Sequence, residues 1–281
     1  AGIINGTGNF ILTEMRDKGR AFEDVLKEAQ ELGYAEADPT FDVEGIDAAH
    51  KLTILASIAF GMPLQFEKAY TEGISKITAQ DVNYAEELGY RIKHLGVAVK
   101  REAGIEMRVH PTLIPEKSLI ANVNGVLNAV LVNCDAVGQT MYSGAGAGDT
   151  ATASSVIADI VDVARLVGTS ARPVPHLGFG KIDDTLQILD VDQSQTAFYL
   201  RLEVSDKVGV MAKVAQIMSE SAINIEAILQ KEPAEDEQTL PIIMLTHKVK
   251  EADMNSAIAK LEALDDVVEQ VVRIRVEHLN G

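Results

Sequence analysis

Between Gly33 and Lys51 the chain reads GYAEADPTFDVEGIDAAHK, which packs Glu36, Asp38, Asp42, Glu44 and Asp47 together and closes on Lys51. Asp47 and Lys51 stand four residues apart in a predicted helix, so they share a face, and Leu55 and Ile58 continue it. The pair is therefore expected where a charged lysine meets apolar packing rather than free solvent. A lysine partly withdrawn from water and tied to a carboxylate can give or take a proton, and neighbouring carboxylates recognise an ammonium. A plainer alternative needs no chemistry. Such pairs decorate exposed helices for tenths of a kcal/mol, and acidic residues ahead of a helix cap it and favour its dipole. Spacing alone leaves both readings open. A calcium loop is disfavoured, because positions 38, 42, 44 and 47 lack the alternate-residue spacing of an EF-hand.

The remaining reactive side chains point to little else. The six histidines form no H-x-x-x-H or H-E-x-x-H pattern, which argues against a zinc enzyme and leaves no metal site expected. His50 lies one step round the helix from Lys51 and is read as solvated or at the core edge. His110, in VHPT, ends a strand. No G-x-S-x-G elbow marks a hydrolase. Cys134, the single cysteine, follows Val130, Leu131 and Val132 and is read as a buried packing thiol. Gly6-Thr7-Gly8 lacks the third glycine and the preceding strand of a dinucleotide fingerprint. The run YSGAGAGDT, Tyr142 to Thr150, opens a helix and is by itself a weak signal, more simply a plain flexible turn.

These residues must be carried by regular elements. Residues 9 to 32 read as helical, with Phe22, Val25, Leu26, Ala29 and Leu32 on one stripe and Gly33 as the stop. A loop over 34 to 45 precedes a helix over 46 to 60 that ends at Gly61, with further helical stretches near 65 to 73 and 78 to 88. Ile92 to Ala103 and Ile105 to Pro111 read as a hairpin, and Val123 to Val132 and Cys134 to Tyr142 as two more strands. The helix over 149 to 167 is expected to bury Val156, Ile160, Val163, Ala164 and Val167. This first unit is thus α+β, helices on a largely antiparallel or mixed sheet, and spans residues 1–170. A Pro- and Gly-bearing linker follows over 171–195, with some strand character at Thr185 to Val191. Residues 196–281 show a βαββαβ order, the ferredoxin-like split unit. Its strands are Phe198 to Val204, Ile223 to Leu229, Pro241 to Thr246 and Val267 to Val276; its helices are Val208 to Ser219 and Glu251 to Leu264. The acidic tract Glu232 to Glu237 reads as a solvated hairpin loop.

Bulk properties narrow the function classes. With 281 residues, 47% of them hydrophobic, the chain has material for about two domains. A formal net charge of −17 repels nucleic acid and anionic membrane and suits a small zwitterionic or cationic ligand. No apolar run reaches the ~20 residues needed to span a bilayer. One cysteine fits a reducing, cytoplasmic setting. The chain opens AGIINGTGNF, with no Met, as if in mid-protein.

Taken together, GIINGTGNFIL and GYAEADPTFDVEGIDAAHKLTILA resemble the catalytic-domain signature of the homoserine dehydrogenases, and FYLRLEVSDKVGVMAKVAQIMSESAINIEAILQ resembles an ACT domain. The first resemblance implies reversible hydride transfer between NADP or NAD and the pair L-homoserine and L-aspartate 4-semialdehyde, in threonine and methionine biosynthesis. It implies Lys51 as the lysine serving the substrate oxygen, with Asp47 orienting it and helping to bind substrate. Glu36 and Asp42 would hold the α-ammonium, and Thr7 and Tyr34 would complete the pocket. A backbone amide near Gly146 would approach the cofactor. The family's nucleotide-binding domain precedes such a segment, so the resemblance implies that it is absent here and that this chain alone is inactive; a non-catalytic regulatory fragment that binds an amino acid is the alternative. The ACT resemblance implies an amino-acid effector, threonine foremost, near Asp206, Gly209 and Asn224, and a homodimer or homotetramer.

Overall fold

The computed structural model describes residues 1–168, 182–231 and 239–279. The acidic tract Glu232 to Glu237, and the first part of the expected linker, residues 171–181, lie outside them.

A short strand β1 (Gly2–Ile3) leads into α1 (Gly6–Lys18), which Asn5 caps by accepting the Gly8 amide at 2.8 Å. Gly19 in the left-handed region ends α1, so the stretch read as one helix is two, the second being α2 (Phe22–Glu31). The segment read as a plain loop contains α3 (Thr40–Val43), and α4 (Ile46–Phe60) then runs from Gly45 to Gly61. Residues 65 to 73 are not the helix expected. After a single 3-10 turn they form β2 (Tyr70–Thr71), because pairing with a central strand outweighs the helical propensity of QFEKA. α5 (Ala79–Glu87) starts with a capping box between Thr78 and Asp81.

The hairpin β3 (Tyr90–Arg101) and β4 (Gly104–Pro115) is the backbone of the first unit, followed by β5 (Leu127–Cys134) and β6 (Gly138–Ala145). After α6 (Asp149–Leu166) come β7 (Gln195–Ser205), α7 (Val210–Glu220), β8 (Ile225–Gln230), β9 (Thr239–Thr246), β10 (Val249–Lys250), α8 (Glu251–Glu262) and β11 (Val272–Val276). Ahead of β7, the stretch given some strand character makes only an isolated bridge, Ile188 to Ile105.

Among the described residues the strands join one mixed, mostly antiparallel sheet of 11, in the order β6-β5-β1-β3-β4-β11-β7-β9-β8, with β2 and β10 attached to β4 and β7. The α+β class expected from the sequence is thus the class observed. Within it, β11-β7-β9-β8 is the 4-1-3-2 arrangement of a ferredoxin-like unit. β11 also lies parallel to β4, with Arg275 opposite Thr112 and Val276 opposite Leu113, which fuses the two units through backbone hydrogen bonds. β7 explains why: Phe198, Leu200, Leu202 and Val204 pack with Val214 of α7 and Met254 of α8, while Ala197 and Tyr199 join the core under α1, α2 and α5. A strand covered on both faces reads as an almost unbroken apolar run.

Two burial expectations fail. α6 has no buried residue: Val156, Ile160, Val163 and Val167 are 51%, 57%, 63% and 75% exposed, and Ala164 is exposed too. The periodicity marks a face that wants cover, but nothing among the described residues supplies it. Cys134 is exposed as well, since it ends β5, where the strand runs beyond the packed layers.

Candidate functional site

The carboxylates of the Gly33–Lys51 stretch are sorted by the helices that carry them. Asp42 rides on α3 and Asp47 on the first turn of α4. Gly45 between them has φ +79°, and a Cβ there would come within 2.9 Å of His94 on β3, so only glycine turns this corner against the sheet. That turn brings both aspartates to one amide. Asn5 Nδ2 donates to Asp42 Oδ1 at 2.8 Å and to Asp47 Oδ2 at 2.9 Å, and Lys51 Nζ donates to the same Asp47 oxygen at 2.7 Å. Asn5 was not among the residues read as functional. Its signal is its place as a helix N-cap: Oδ1 is taken by the Gly8 amide, which aims the two N–H bonds outward at the aspartates.

The Asp47–Lys51 pair is not in the apolar setting expected. The lysine side chain is 46% exposed and the aspartate 21%, and Ile58 further along that face is 46% exposed. The two are joined and anchored on the substructure, but their outer side faces open space. His50 next to Lys51 is exposed and stacks on Phe66, with ring centroids 3.7 Å apart.

Thr7 is buried and donates to the Tyr34 carbonyl at 2.6 Å, while the Tyr34 ring, itself exposed, sits edge-on to Phe10 at 5.1 Å. The two residues meet through the main chain of Tyr34. Glu36 is exposed, and its carbonyl accepts from Gln30 at 3.0 Å; no hydrogen bond among the described residues ties it to the Asn5 cluster. Asp38 and Glu44 have structural uses. Asp38 accepts the Thr40 amide at 3.1 Å, and hydrogen bonds from Thr40 lower its pKa; Glu44 accepts Ser75 Oγ at 2.6 Å.

Beneath α1 lies a group that sequence reasoning missed. Lys93, 1% exposed, donates to Val123 O at 2.6 Å, Asn9 Oδ1 at 3.1 Å and Asn124 Oδ1 at 3.3 Å. Asn9 in turn donates to the carbonyls of Val123, Gly125 and Leu127, pinning α1 to the strand entry. Burial, helped by the charges of Arg16 and Arg91, pushes the Lys93 ammonium down to about 7. The available signal was a lysine inside the apolar strand RIKHLGVAV.

The sign of the pH effect follows. An unfolded lysine titrates near 10.4, so between the two values the unfolded chain binds the extra proton and stability rises with pH. The natural chain should gain on a Lys93→Met variant between pH 7 and 10, at a limiting slope of about 1.4 kcal/mol per pH unit. Urea denaturation of both at pH 7 and 9 checks this, and a gap that does not grow removes the buried charge from the account.

Gly146 lies just ahead of α6, against the Asn128 side chain, whose Nδ2 would be 1.9 Å from a Cβ placed there and would have to turn aside. Gly148 then starts α6 without any side-chain cap, leaving the first-turn amides free of a side-chain acceptor. The residues that the ACT resemblance implied for an effector divide. Asp206 and Gly209, both exposed, follow the end of β7, where Ser205 pairs Thr239. Asn224 precedes β8, where Ile225 pairs Thr246 at the other end of β9. One chain therefore holds them at opposite ends of the sheet, separated by the length of α7.

Residues 1–161 match the family model described as homoserine dehydrogenase, and residues 200–269 match the AHAS small subunit-like ACT domain. Homoserine dehydrogenases of Pseudomonas aeruginosa and Neisseria gonorrhoeae are 66% and 55% identical to the chain over its full length, and it spans 65% of each. A solved homoserine dehydrogenase of Thiobacillus denitrificans superposes with a TM-score of 0.93 at 61% identity, covering 99% of this chain and 64% of that one. Among the described residues no helix is long and apolar enough to cross a membrane. With a family model matched over residues 1–161 and relatives 55–66% identical over its full length, the chain belongs to the homoserine dehydrogenase family.

Proposed function

We propose that this chain supplies the substrate-binding and proton-handling part of an NAD(P)-dependent homoserine dehydrogenase, with a C-terminal regulatory ACT unit. The observation that carries this is the convergence of Asp42, Asp47 and Lys51 through Asn5. In this reading the substrate α-ammonium is held by Asp42 and Glu36, with Thr7 and Tyr34 beside it. Asp47 orients Lys51, whose Nζ gives a proton to the oxygen of the aldehyde on reduction and takes it back on oxidation. The positive charge of Lys51 also favours the alkoxide that hydride addition creates.

A bound nicotinamide dinucleotide supplies or accepts the hydride. The residues present fit one edge of such a cofactor. The uncapped first turn of α6, with Gly146 just ahead of it, leaves backbone amides open to phosphate or ribose, although Asp149 adds an adverse charge. The Gly8 amide of Gly6-Thr7-Gly8 is already taken by Asn5, so that turn does not serve. We assign residues 1–170 to substrate binding, 171–195 to the linker and 196–281 to the ACT unit. The exposed apolar face of α6 is where the remaining third of the relatives' length would pack. Whole-protein NAD(P)+-dependent oxidation of homoserine is the expected activity, and this chain alone should lack it. An inactive whole protein would favour the alternative, a regulatory amino-acid-binding fragment.

Regulation by threonine is part of the same proposal. Because Asp206 and Gly209 stand apart from Asn224 within one chain, an amino acid that touches all three must lie between two copies, which supports a homodimer or homotetramer. Calorimetric titration with threonine should give binding heat that an Asn224→Ala variant loses; no heat in the natural protein would count against threonine. A cytoplasmic setting is proposed from the lone thiol.

A further inference from the structure

The stretch Tyr70–Ser75 connects two parts of the molecule that share no other obvious business. At one end is a buried charge cluster of the C-terminal unit. Arg275 on β11, 1% exposed, donates Nε and Nη2 to Glu251 of α8 at 3.0 and 2.5 Å, and lies 4.7 Å over the Tyr70 ring. Its remaining nitrogen, Nη1, crosses to Glu72 Oε2 at 2.8 Å, an oxygen that also accepts the Tyr70 hydroxyl at 2.8 Å. Burial opposes the Glu72 charge, but Arg275, Tyr70 and Arg273 outweigh it and hold the carboxyl below its ordinary value. Glu72 is thus an ionised residue of the first unit gripped by an arginine of the second.

At the other end the stretch is fastened to the corner that sets the two aspartates. The Ile74 amide donates to Val43 O at 2.8 Å, and Ser75 Oγ to Glu44 at 2.6 Å. Gly73 lies so close that a Cβ would come within 2.7 Å of both the Glu44 Cα and the Val43 carbonyl. The Glu72 carbonyl accepts His94 Nε2 at 2.9 Å, and His94 is the ring against which Gly45 turns. Val43, Glu44 and Gly45 are the junction between α3, which carries Asp42, and α4, which carries Asp47. A shift of the strap along its length therefore changes the relation between those two carboxylates.

We propose that the Tyr70–Ser75 strap, anchored by the Glu72–Arg275 ion pair, sets the spacing of Asp42 and Asp47 and so couples the C-terminal unit to recognition of the substrate amine. Glu72 is then a positioning residue for a cationic amino group. The inference rests on the function proposed above. It does not require any particular effector, only that the ACT unit hold Arg275 where it is.

The test uses the whole protein and steady-state kinetics of homoserine oxidation. Glu72→Gln keeps the volume and removes the charge that Arg275 grips. It should raise the KM for homoserine about 10-fold, with the KM for the dinucleotide unchanged and kcat within about 3-fold. A purely structural role would lower the fraction of active enzyme, and so kcat, without touching either KM. Gly73→Ala attacks the other end without altering charge and should raise the same constant; it carries the test if Glu72→Gln does not fold. An unchanged homoserine KM in the folded variants overturns the proposal, whatever their melting temperatures. If the natural whole protein does not oxidise homoserine at all, it is the assignment of function that fails.

Discussion

Replacing Lys51 by alanine in the whole protein should lower kcat for homoserine oxidation by a factor on the order of 10²–10⁴ while changing the homoserine KM only a few-fold. The reasoning starts from position. Lys51 Nζ is 2.7 Å from Asp47, and Asp47 is itself fixed by Asn5, so the ammonium is the mobile end of an otherwise anchored row. The amine of the substrate is assigned to the carboxylates and survives the mutation; the proton for the reacting oxygen is assigned to Lys51 and does not. Lys51→Arg keeps the charge but not the acidity and should recover little, because a guanidinium does not give up its proton near neutrality. Steady-state assays of the three proteins decide the matter, and turnover near that of the natural enzyme in Lys51→Ala would take the lysine out of the chemistry.

Asp81→Ala should cost about 3–5 kcal/mol of stability, the usual consequence of removing one partner of a buried ion pair. Asp81 is fully buried, accepting Arg201 Nε at 2.7 Å and Nη2 at 3.3 Å, the Tyr199 hydroxyl at 3.1 Å and Thr78 Oγ1 at 2.6 Å. Arg201 and Tyr199 belong to β7 and Asp81 to α5, so the cluster clasps the two units from the side opposite to Glu72. Among the described residues, the alanine leaves the buried guanidinium with Glu203, at 3.2 Å, to answer it. Asp81→Leu combined with Arg201→Met should be more stable than Asp81→Leu alone, since no charge is then stranded. Urea unfolding of the set at pH 7 measures this. A loss below about 1 kcal/mol for Asp81→Ala would place the energy of the junction elsewhere.

What was legible in the sequence was whatever has a local period or a local stop. α4 lies between Gly45 and Gly61 as read, and the ferredoxin-like order was visible because each of its strands and helices carries its own pattern. The Asp47–Lys51 contact follows from helix geometry alone. Long-range partners left no such mark. Nothing near Glu72 announces Arg275, and nothing near Asp81 announces Arg201. The errors have the same root: apolar neighbours made Cys134 and the α6 stripe look buried, but burial is decided by what lies across from a face, and that is set by tertiary packing. β2 was missed because two residues become a strand only when β4 offers an edge. Asn5 was overlooked because its aspartate partners, Asp42 and Asp47, are distant in sequence and reach it only through tertiary packing.

The parallel join of β11 to β4 bears on how the molecule is made. As the polypeptide leaves the ribosome, the hairpin of β3 and β4 is complete long before residue 272 emerges, and in that interval the margin of β4 at Thr112 and Leu113 is open to any strand that arrives. Such a margin invites mispairing, and contacts so distant in sequence form slowly. Newly made chains should therefore depend on chaperones, or on pairing of β2 along β4, until the final strand closes the gap.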